Sequence, residues 1–450
     1  MSKKSAKRRR KNFTEDTLSR REGFKYKLIA EGIGVGFLAG LIVSLFRLAL
    51  TKAESARDLF IDSAGQKFTL ALLGAGLLVF IAVCTYAVII REPLSSGSGI
   101  PQVKGELQGQ INANWVQVII AKFLGGILAI GGGLSLGREG PSIQIGAMVG
   151  KGFSRINNRL RTEEKLLMTC GSGAGLAAAF GAPLAGVVFA LEELHKNFSQ
   201  EVLLSTMASA ITADCIGSYI FGLEPVLDFE INVDEGLPLN RMWMVIVLGL
   251  ILGVFGVLFN KTILIAQDCF KRLKLKWIKV FVPFAIALLL AIWLPEALGS
   301  GHKLIGLAGE GAMTVKVLVT LLAVKYVFSV VSFGSGVPGG IFLPLLVIGA
   351  LTGGIFTEAI SPIAGYEQNY IQYFVILGMT GYFSAIVRAP ITGVILISEM
   401  TGTFSNLLSL SAIALTSYMT ADVLKGRPIY DELMERIVAH GKVRKPKVSN

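Results

Sequence analysis

The chain has 450 residues, of which 52% are hydrophobic and only 16% charged, and it carries a formal net charge of +12 at pH 7. Soluble domains hold about 25% charged residues, so this balance excludes a nucleic-acid enzyme, a disordered hub and a secreted disulfide scaffold, and it indicates a polytopic α-helical membrane protein. An outer-membrane barrel is excluded too, because its strands alternate residue by residue instead of forming long apolar runs.

Residues 1–27 read as a basic cytoplasmic tail. The run KKSAKRRRK from Lys3 to Lys11 precedes the first apolar stretch, and basic flanks mark the cytoplasmic side. No cleavable signal is expected, because the first apolar run begins near Lys27 and is too long for one. Apolar runs sufficient for spans of roughly 20 residues are predicted at 28–50, 68–90, 115–130, 202–221, 242–266, 278–294, 315–333 and 405–424. Shorter pieces broken by glycine and proline lie at 143–153, 170–192, 340–360 and 372–400. Half-length helices are tolerated in a bilayer only where protein or water covers their ends. The 52 glycines show no collagen-like period and suggest such broken helices.

An internal repeat organises these pieces. Residues 182–192 read APLAGVVFALE and residues 389–399 read APITGVILISE, an offset of 207. Gly97-Ser98-Gly99 has a counterpart in Gly299-Ser300-Gly301. The expected organisation is a first membrane repeat at 28–221, an acidic extracytoplasmic linker at 222–241, a second repeat at 242–430 and a basic cytoplasmic tail at 431–450. The linker holds Glu224, Asp228, Glu230, Asp234 and Glu235 and no basic residue before Arg241. With both tails inside and the linker outside, each half crosses an odd number of times. The halves are then inverted, which is a transporter architecture with a site near the midplane.

Three glycine-rich segments fall where helices are predicted to start: Gly97-Ser98-Gly99-Ile100-Pro101-Gln102, Gly137-Arg138-Glu139-Gly140-Pro141-Ser142, and Gly336-Val337-Pro338-Gly339-Gly340-Ile341-Phe342-Leu343-Pro344. Proline suits the first helical turn, where its missing N–H has no partner to lose. A helix start carries about +0.5 elementary charge and several unpaired N–H donors. Several starts converging inside a membrane make an anion site without a full cation, and partial charges release the anion as readily as they bind it. Alone, each segment is equally a tight turn or a close helix contact.

Together, in this order, GSGIP, GREGP and GGIFLP resemble the CLC family of chloride channels and chloride/proton antiporters. The resemblance runs from about residue 28 to the ending Gly426-Arg427-Pro428-Ile429-Tyr430 and includes the duplicated APLAG/APITG segments. It implies an all-α polytopic membrane fold of two inverted repeats built from broken and tilted helices. By that resemblance Ser98 and Tyr430 are hydroxyl donors to a central chloride, backbone amides of Ile341 and Phe342 add further contacts, and Gly99 and Gly140 belong to the same anion-binding set. Glu139 is the gating glutamate and proton acceptor, competing with the anion for the same donors. Glu193 is the internal proton-transfer group, with Glu201 and Arg138 as possible accessories.

Glu192 and Glu399, the repeat-related pair, are expected to make helix-end hydrogen bonds. Lys122 and Lys325 sit in apolar runs, where a charge costs roughly 2.5–3.5 kcal/mol on insertion scales; they tune the pore potential or pair with carbonyls. Arg388 draws anions in, snorkels or orders a loop. His195 and His302 read as loop residues with no metal-ligand partners, and no metal or cofactor is expected. Cys84, Cys170, Cys215 and Cys269 read as small core residues. Where the family often has asparagine before APLAG, this chain has Gly181.

The reading from sequence is thus an exchanger of chloride for protons, with a passive voltage- or pH-gated chloride channel on the same fold as the alternative. A fluoride-exporting branch usually alters the serine turn and the GREGP proline, yet Ser98 and Pro141 are both in place. An intramembrane hydrolase using Ser98 or Ser172 lacks a histidine inside an apolar span to activate it, so the chain does not read as an enzyme. The resemblance further implies a homodimer with one pathway per subunit, the 202–221 and 405–424 runs being candidate interfaces, and a prokaryotic inner (plasma) membrane location with both termini cytoplasmic. Beyond membrane lipid, chloride and protons, no partner is expected, nucleic acid included.

Overall fold

The computed structural model describes residues 3–64, 68–227, 237–311, 313–364 and 370–439. Helix α1 (Lys3–Ala64) takes in both the basic stretch and the first apolar run. The predicted boundary at residue 27 is therefore not a break in secondary structure. Between Asn12 and Leu28 the chain has one glycine and no proline, so nothing there stops a helix. The first half continues through α2 (Phe68–Arg91), α3 (Ile100–Leu107), α4 (Trp115–Gly131), α5 (Glu139–Ile156), α6 (Arg161–Phe180) and α7 (Pro183–Phe189). A π-helical turn, Ala190–His195, then leads to α8 (Gln200–Phe221).

The second half repeats the series as α9 (Met242–Arg272), α10 (Ile278–Trp293), α11 (His302–Gly309), α12 (Val315–Gly334), α13 (Phe342–Ala364), α14 (Ile371–Val387), α15 (Pro390–Thr401) and α16 (Leu407–Val423). A last helix, α17 (Ile429–Ala439), stands outside the repeat. It corrects the predicted tail, since residues 431–439 are helical and packed. The acidic linker residues Asp228, Glu230, Asp234 and Glu235, and the basic Lys442, Arg444, Lys445 and Lys447, lie outside the described residues. Segments of six helices are long and apolar enough to cross a membrane, and α4, α10, α14, α15 and α16 are shorter apolar helices. Among the described residues there is no strand, only an isolated antiparallel bridge between Gly137 and Gly340.

Small residues let the helices touch backbone to backbone. Gly32, Gly36 and Gly40 of α1 form a stripe at four-residue spacing that meets Ser205, Ser209 and Ala213 of α8; a Cβ on Gly32 would stand 2.6 Å from the Ser205 carbonyl oxygen. Lipid tails are as apolar as leucine side chains, so close packing of this kind is what holds membrane helices together. The same device joins α5 to α6 through Gly146, Gly150 and Gly171, and α13 to α14 through Gly349, Gly353 and Gly378.

Reciprocal contacts tie the halves to one another. The Glu192 carboxylate accepts from the amides of Ile391 (3.3 Å) and Thr392 (2.8 Å) at the start of α15. Glu399 accepts from the amides of Leu184 (3.0 Å) and Ala185 (2.7 Å) at the start of α7. Each glutamate satisfies orphan donors of the other repeat, and a reciprocal exchange of equivalent groups is the signature of a two-fold relation. The helix-end role expected of this pair is what the structure has.

Gly181 is the left-handed cap of α6, with φ +64°. Glycine and asparagine are the two residues that suit such a cap, so the departure from the family pattern is conservative. Its repeat partner Arg388 adopts φ +68° and donates to the carbonyls of Tyr418 (2.5 Å) and Gly426 (2.8 Å); of its expected roles it has the loop-ordering one. Two other expectations are corrected. Cys215 and Cys269 are exposed on α8 and α9 instead of in the core, where Cys170 is buried. His302 opens α11 and His195 closes the π-helical turn, its Nδ1 3.0 Å from the Thr169 hydroxyl, so neither is a loop residue.

Candidate functional site

The three glycine-rich segments lock together through their backbones. Gly97 N–H donates to the Gly336 carbonyl (3.2 Å) and Gly339 N–H to the Gly97 carbonyl (3.0 Å). Gly137 and Gly340 exchange hydrogen bonds of 2.7 and 2.8 Å. Side chains fix the first turn further: Ser96 Oγ donates to Gly336 O (2.5 Å), Gln102 Nε2 to Ser96 O (2.6 Å), and Gln144 Nε2 to Leu94 O (2.9 Å). The starts of α3, α5 and α13 are thereby brought to one place, and their first-turn amides have no intrahelical acceptor.

Glycine is obligatory where the turns touch. A Cβ on Gly140 would overlap Ser98, standing 2.6 Å from its carbonyl oxygen, and Gly99, at φ +98°, faces the side chain of Gln144. A Cβ on Gly137 would overlap the Glu139 carboxylate and lie 3.1 Å from the Leu343 amide. Glu139 therefore folds back over its own motif, toward the start of α13.

Several polar groups at this junction are buried without a hydrogen-bond partner: the Ser98 and Tyr430 hydroxyls and both Glu139 carboxylate oxygens. Glu139 and Tyr430 are 0% exposed and Ser98 is 2% exposed. Buried polar atoms are nearly always paired, so this cluster of unpaired ones makes the junction the candidate binding centre. The Tyr430 phenol lies within electrostatic range of both Glu139 and Glu193. Ile341 and Phe342 are fully buried, and the Phe342 ring packs on Phe180, Phe189 and Phe383 at centroid distances of 5.6, 6.4 and 4.7 Å. That packing fixes the start of α13.

The remaining expected residues take varied positions. Arg138 is the N-cap residue of α5, with a buried, unpaired Nε. Glu201 lies in the first turn of α8, where its carbonyl accepts from Ser205 Oγ at 2.8 Å. Glu193, 3% exposed, is held by an ion pair with Lys104 at 2.7 Å. Ser172, a conceivable nucleophile, donates to the Met168 carbonyl of its own helix at 2.8 Å.

Sequence reasoning left the roles of Lys122 and Lys325 open. Both are completely buried and bind carbonyls. Lys122 Nζ donates to Ser95 O (2.9 Å) and Gly97 O (2.5 Å), and Lys325 Nζ to Ala297 O (3.0 Å) and Gly299 O (2.7 Å). These are repeat-equivalent clamps on the two Gly-Ser-Gly turns. Lys104 and Asp431 were missed altogether. The available signal was their position, Lys104 one turn beyond GSGIP and Asp431 directly after Tyr430.

Replacing Lys122 with methionine keeps the volume but strips two carbonyls of their donor, which costs about 1–3 kcal/mol for each buried group left unsatisfied. The expected result is a lower unfolding temperature and at least about tenfold weaker halide binding, read by thermal unfolding and calorimetry on the same sample.

A helical membrane protein with two-fold-related halves, and with unpaired hydroxyls and a buried carboxylate gathered at opposed helix starts, belongs to the class of ion-transport proteins. A family model described as voltage gated chloride channel matches residues 75–422, and the chain belongs to that family. It is 36% identical over 426 residues to the H(+)/Cl(-) exchange transporter ClcA of Vibrio campbellii, covering 91% of this chain and 89% of that protein. Its fold is similar to the crystal structure of a slow cyanobacterial Cl-/H+ antiporter, at TM-score 0.88 and 29% identity, over 92% of this chain and 98% of that one. A CLC-type fluoride/proton antiporter shares the fold at TM-score 0.72 and 23% identity, over 88% and 96% of the two chains.

Proposed function

We propose that this protein is a secondary active transporter that exchanges chloride for protons, with the anion held by helix starts and Glu139 acting as the gate. The observation that carries this reading is the convergence of the unpaired Ser98 and Tyr430 hydroxyls and the Glu139 carboxylate on the starts of α3, α5 and α13. Amides near Ile341, Phe342, Gly99 and Gly140 supply partial positive charge, which suits a monovalent anion that must also leave. Ionised Glu139 has the same sign as chloride and competes for the same donors. A proton on Glu139 removes that competition, so anion occupancy and protonation are linked reciprocally.

Glu193 extends the scheme to the far side of the site. Its burial and its position within electrostatic range of Tyr430 support its reading as the internal proton-transfer carboxylate and favour exchange over the channel alternative; the relatives named above are themselves exchangers and antiporters. Arg138 and Glu201 are accessory groups near the two mouths. The two repeats, 28–221 and 242–430, form one pathway, both termini face the cytoplasm of a prokaryotic cell, and two copies pair through α8 and α16.

The deciding experiment is flux in proteoliposomes. An outward chloride gradient is expected to drive proton uptake, and the reversal potential is expected to move with the pH gradient; a channel would ignore it. Glu193→Gln is expected to abolish proton movement while chloride still crosses, because glutamine fills the same space but cannot carry the proton.

A further inference from the structure

A buried charge cluster lies behind the anion site. Lys104 of α3 donates to Glu193 Oε1 at 2.7 Å and also pairs with Asp431 Oδ1, and Lys196 donates to Asp431 Oδ2 at 3.2 Å. The Lys104 side chain is 0% exposed, Glu193 4% and Asp431 21%. One ammonium thus joins three elements: α3, whose start carries Ser98; the π-helical turn that carries Glu193; and α17, where Asp431 follows Tyr430. The π turn has a use here. It sends Glu192 to the start of α15 and the adjacent Glu193 to Lys104, and π turns recur at functional sites.

We propose that Lys104 is a positioning residue that links the charge on Glu193 to the placement of Tyr430 through Asp431. This rests on the reading of Glu193 as the internal proton-transfer group and of Tyr430 as an anion donor. The groups facing Glu193 are Lys104 from α3, Asp431 and Tyr430 from α17, and Lys196 from the chain after the π turn. With Glu193 ionised, two cations balance two carboxylates. When Glu193 takes a proton, Lys104 keeps only Asp431, and the cluster behind Tyr430 gains one net positive charge. Asp431 itself stays ionised: burial raises its pKa, but bonds from Lys104 and Lys196 outweigh burial and hold it below the ordinary value. Glu193 is therefore the member that changes charge, and its change favours the anion next door.

The test uses the full-length protein in liposomes, with proton flux measured against the pH of the Glu193 side and chloride affinity measured in parallel. Lys104 stabilises ionised Glu193, so Lys104→Met raises the proton affinity of Glu193 and moves the pH profile upward by about one unit or more. Lys104→Arg restores the profile. Asp431→Asn leaves Lys104 to Glu193 alone and moves the profile downward, and the net positive charge it adds behind Tyr430 tightens chloride binding. Unchanged profiles in Lys104→Met and Asp431→Asn, with or without a loss of thermal stability, overturn the proposal. If Lys104→Met does not fold, Asp431→Asn decides by the same criterion. Proton transport that persists in Glu193→Gln sinks the assignment of Glu193 instead, so the two failures are told apart.

Discussion

Glu139→Gln is expected to stop proton transport completely while chloride continues to cross. The carboxylate is 0% exposed and unpaired, and it folds back over Gly137 toward the Leu343 amide. Glutamine has the same shape but no titratable proton, so the linkage between proton and anion vanishes with it. The reversal potential then follows the chloride gradient alone. Calorimetry adds an independent readout. On the proposed mechanism chloride in the parent competes with an ionised side chain, so its affinity is expected to rise as the pH falls and Glu139 protonates. In Glu139→Gln that pH dependence is expected to flatten, and a variant that kept both proton flux and the pH dependence would remove Glu139 from the mechanism.

Gly140→Ala is expected to damage the site through a single methyl group. The added Cβ would overlap Ser98, 2.6 Å from its carbonyl oxygen and 3.2 Å from its carbonyl carbon. Both are backbone atoms of a turn already bonded to Gly336 and Gly339, so neither can step aside cheaply. Overpacking of this sort costs about 1–3 kcal/mol, and the strain falls on the Ser98 hydroxyl and the amides proposed to hold the anion. Chloride affinity is expected to drop at least about tenfold, together with the unfolding temperature. Gly306→Ala is the control. It lies inside α11 with nothing within 4 Å of the added carbon, and alanine is the better helix former, so stability is expected to hold or rise. If Gly140→Ala bound chloride as the parent does, the α3 and α5 starts would not be the site.

Much of this was legible in the chain itself. The apolar runs placed α2, α4, α8, α10, α12 and α16 within two residues of their observed ends, because a bilayer imposes length and polarity on a span that few other settings do; α9 runs six residues past its predicted end. The glycine–proline punctuation located the starts of α3, α5 and α13, since proline and glycine act through local backbone geometry. The APLAG/APITG repeat marks the two halves in the sequence, whereas the glycine pairs shared by α5–α6 and α13–α14 carry no such local signature. The long α1 and the helical α17 were missed because their boundaries are set by the absence of a breaker and by packing, neither of which hydropathy reports.

Sequence by itself determined the membrane class, the duplicated architecture, the three helix starts and the family resemblance, all of which are local or periodic properties of a chain. Only the tertiary structure decided which polar groups meet. Lys104, Glu193 and Asp431 are far apart in the chain, and one ammonium serves both carboxylates. Glu192 and Glu399 each cap the opposite repeat, and Lys122 and Lys325 hold turns more than twenty residues upstream. The physical reason is that a charge buried in a low-dielectric interior is stable only beside its partner, and who that partner is depends on how distant helices pack.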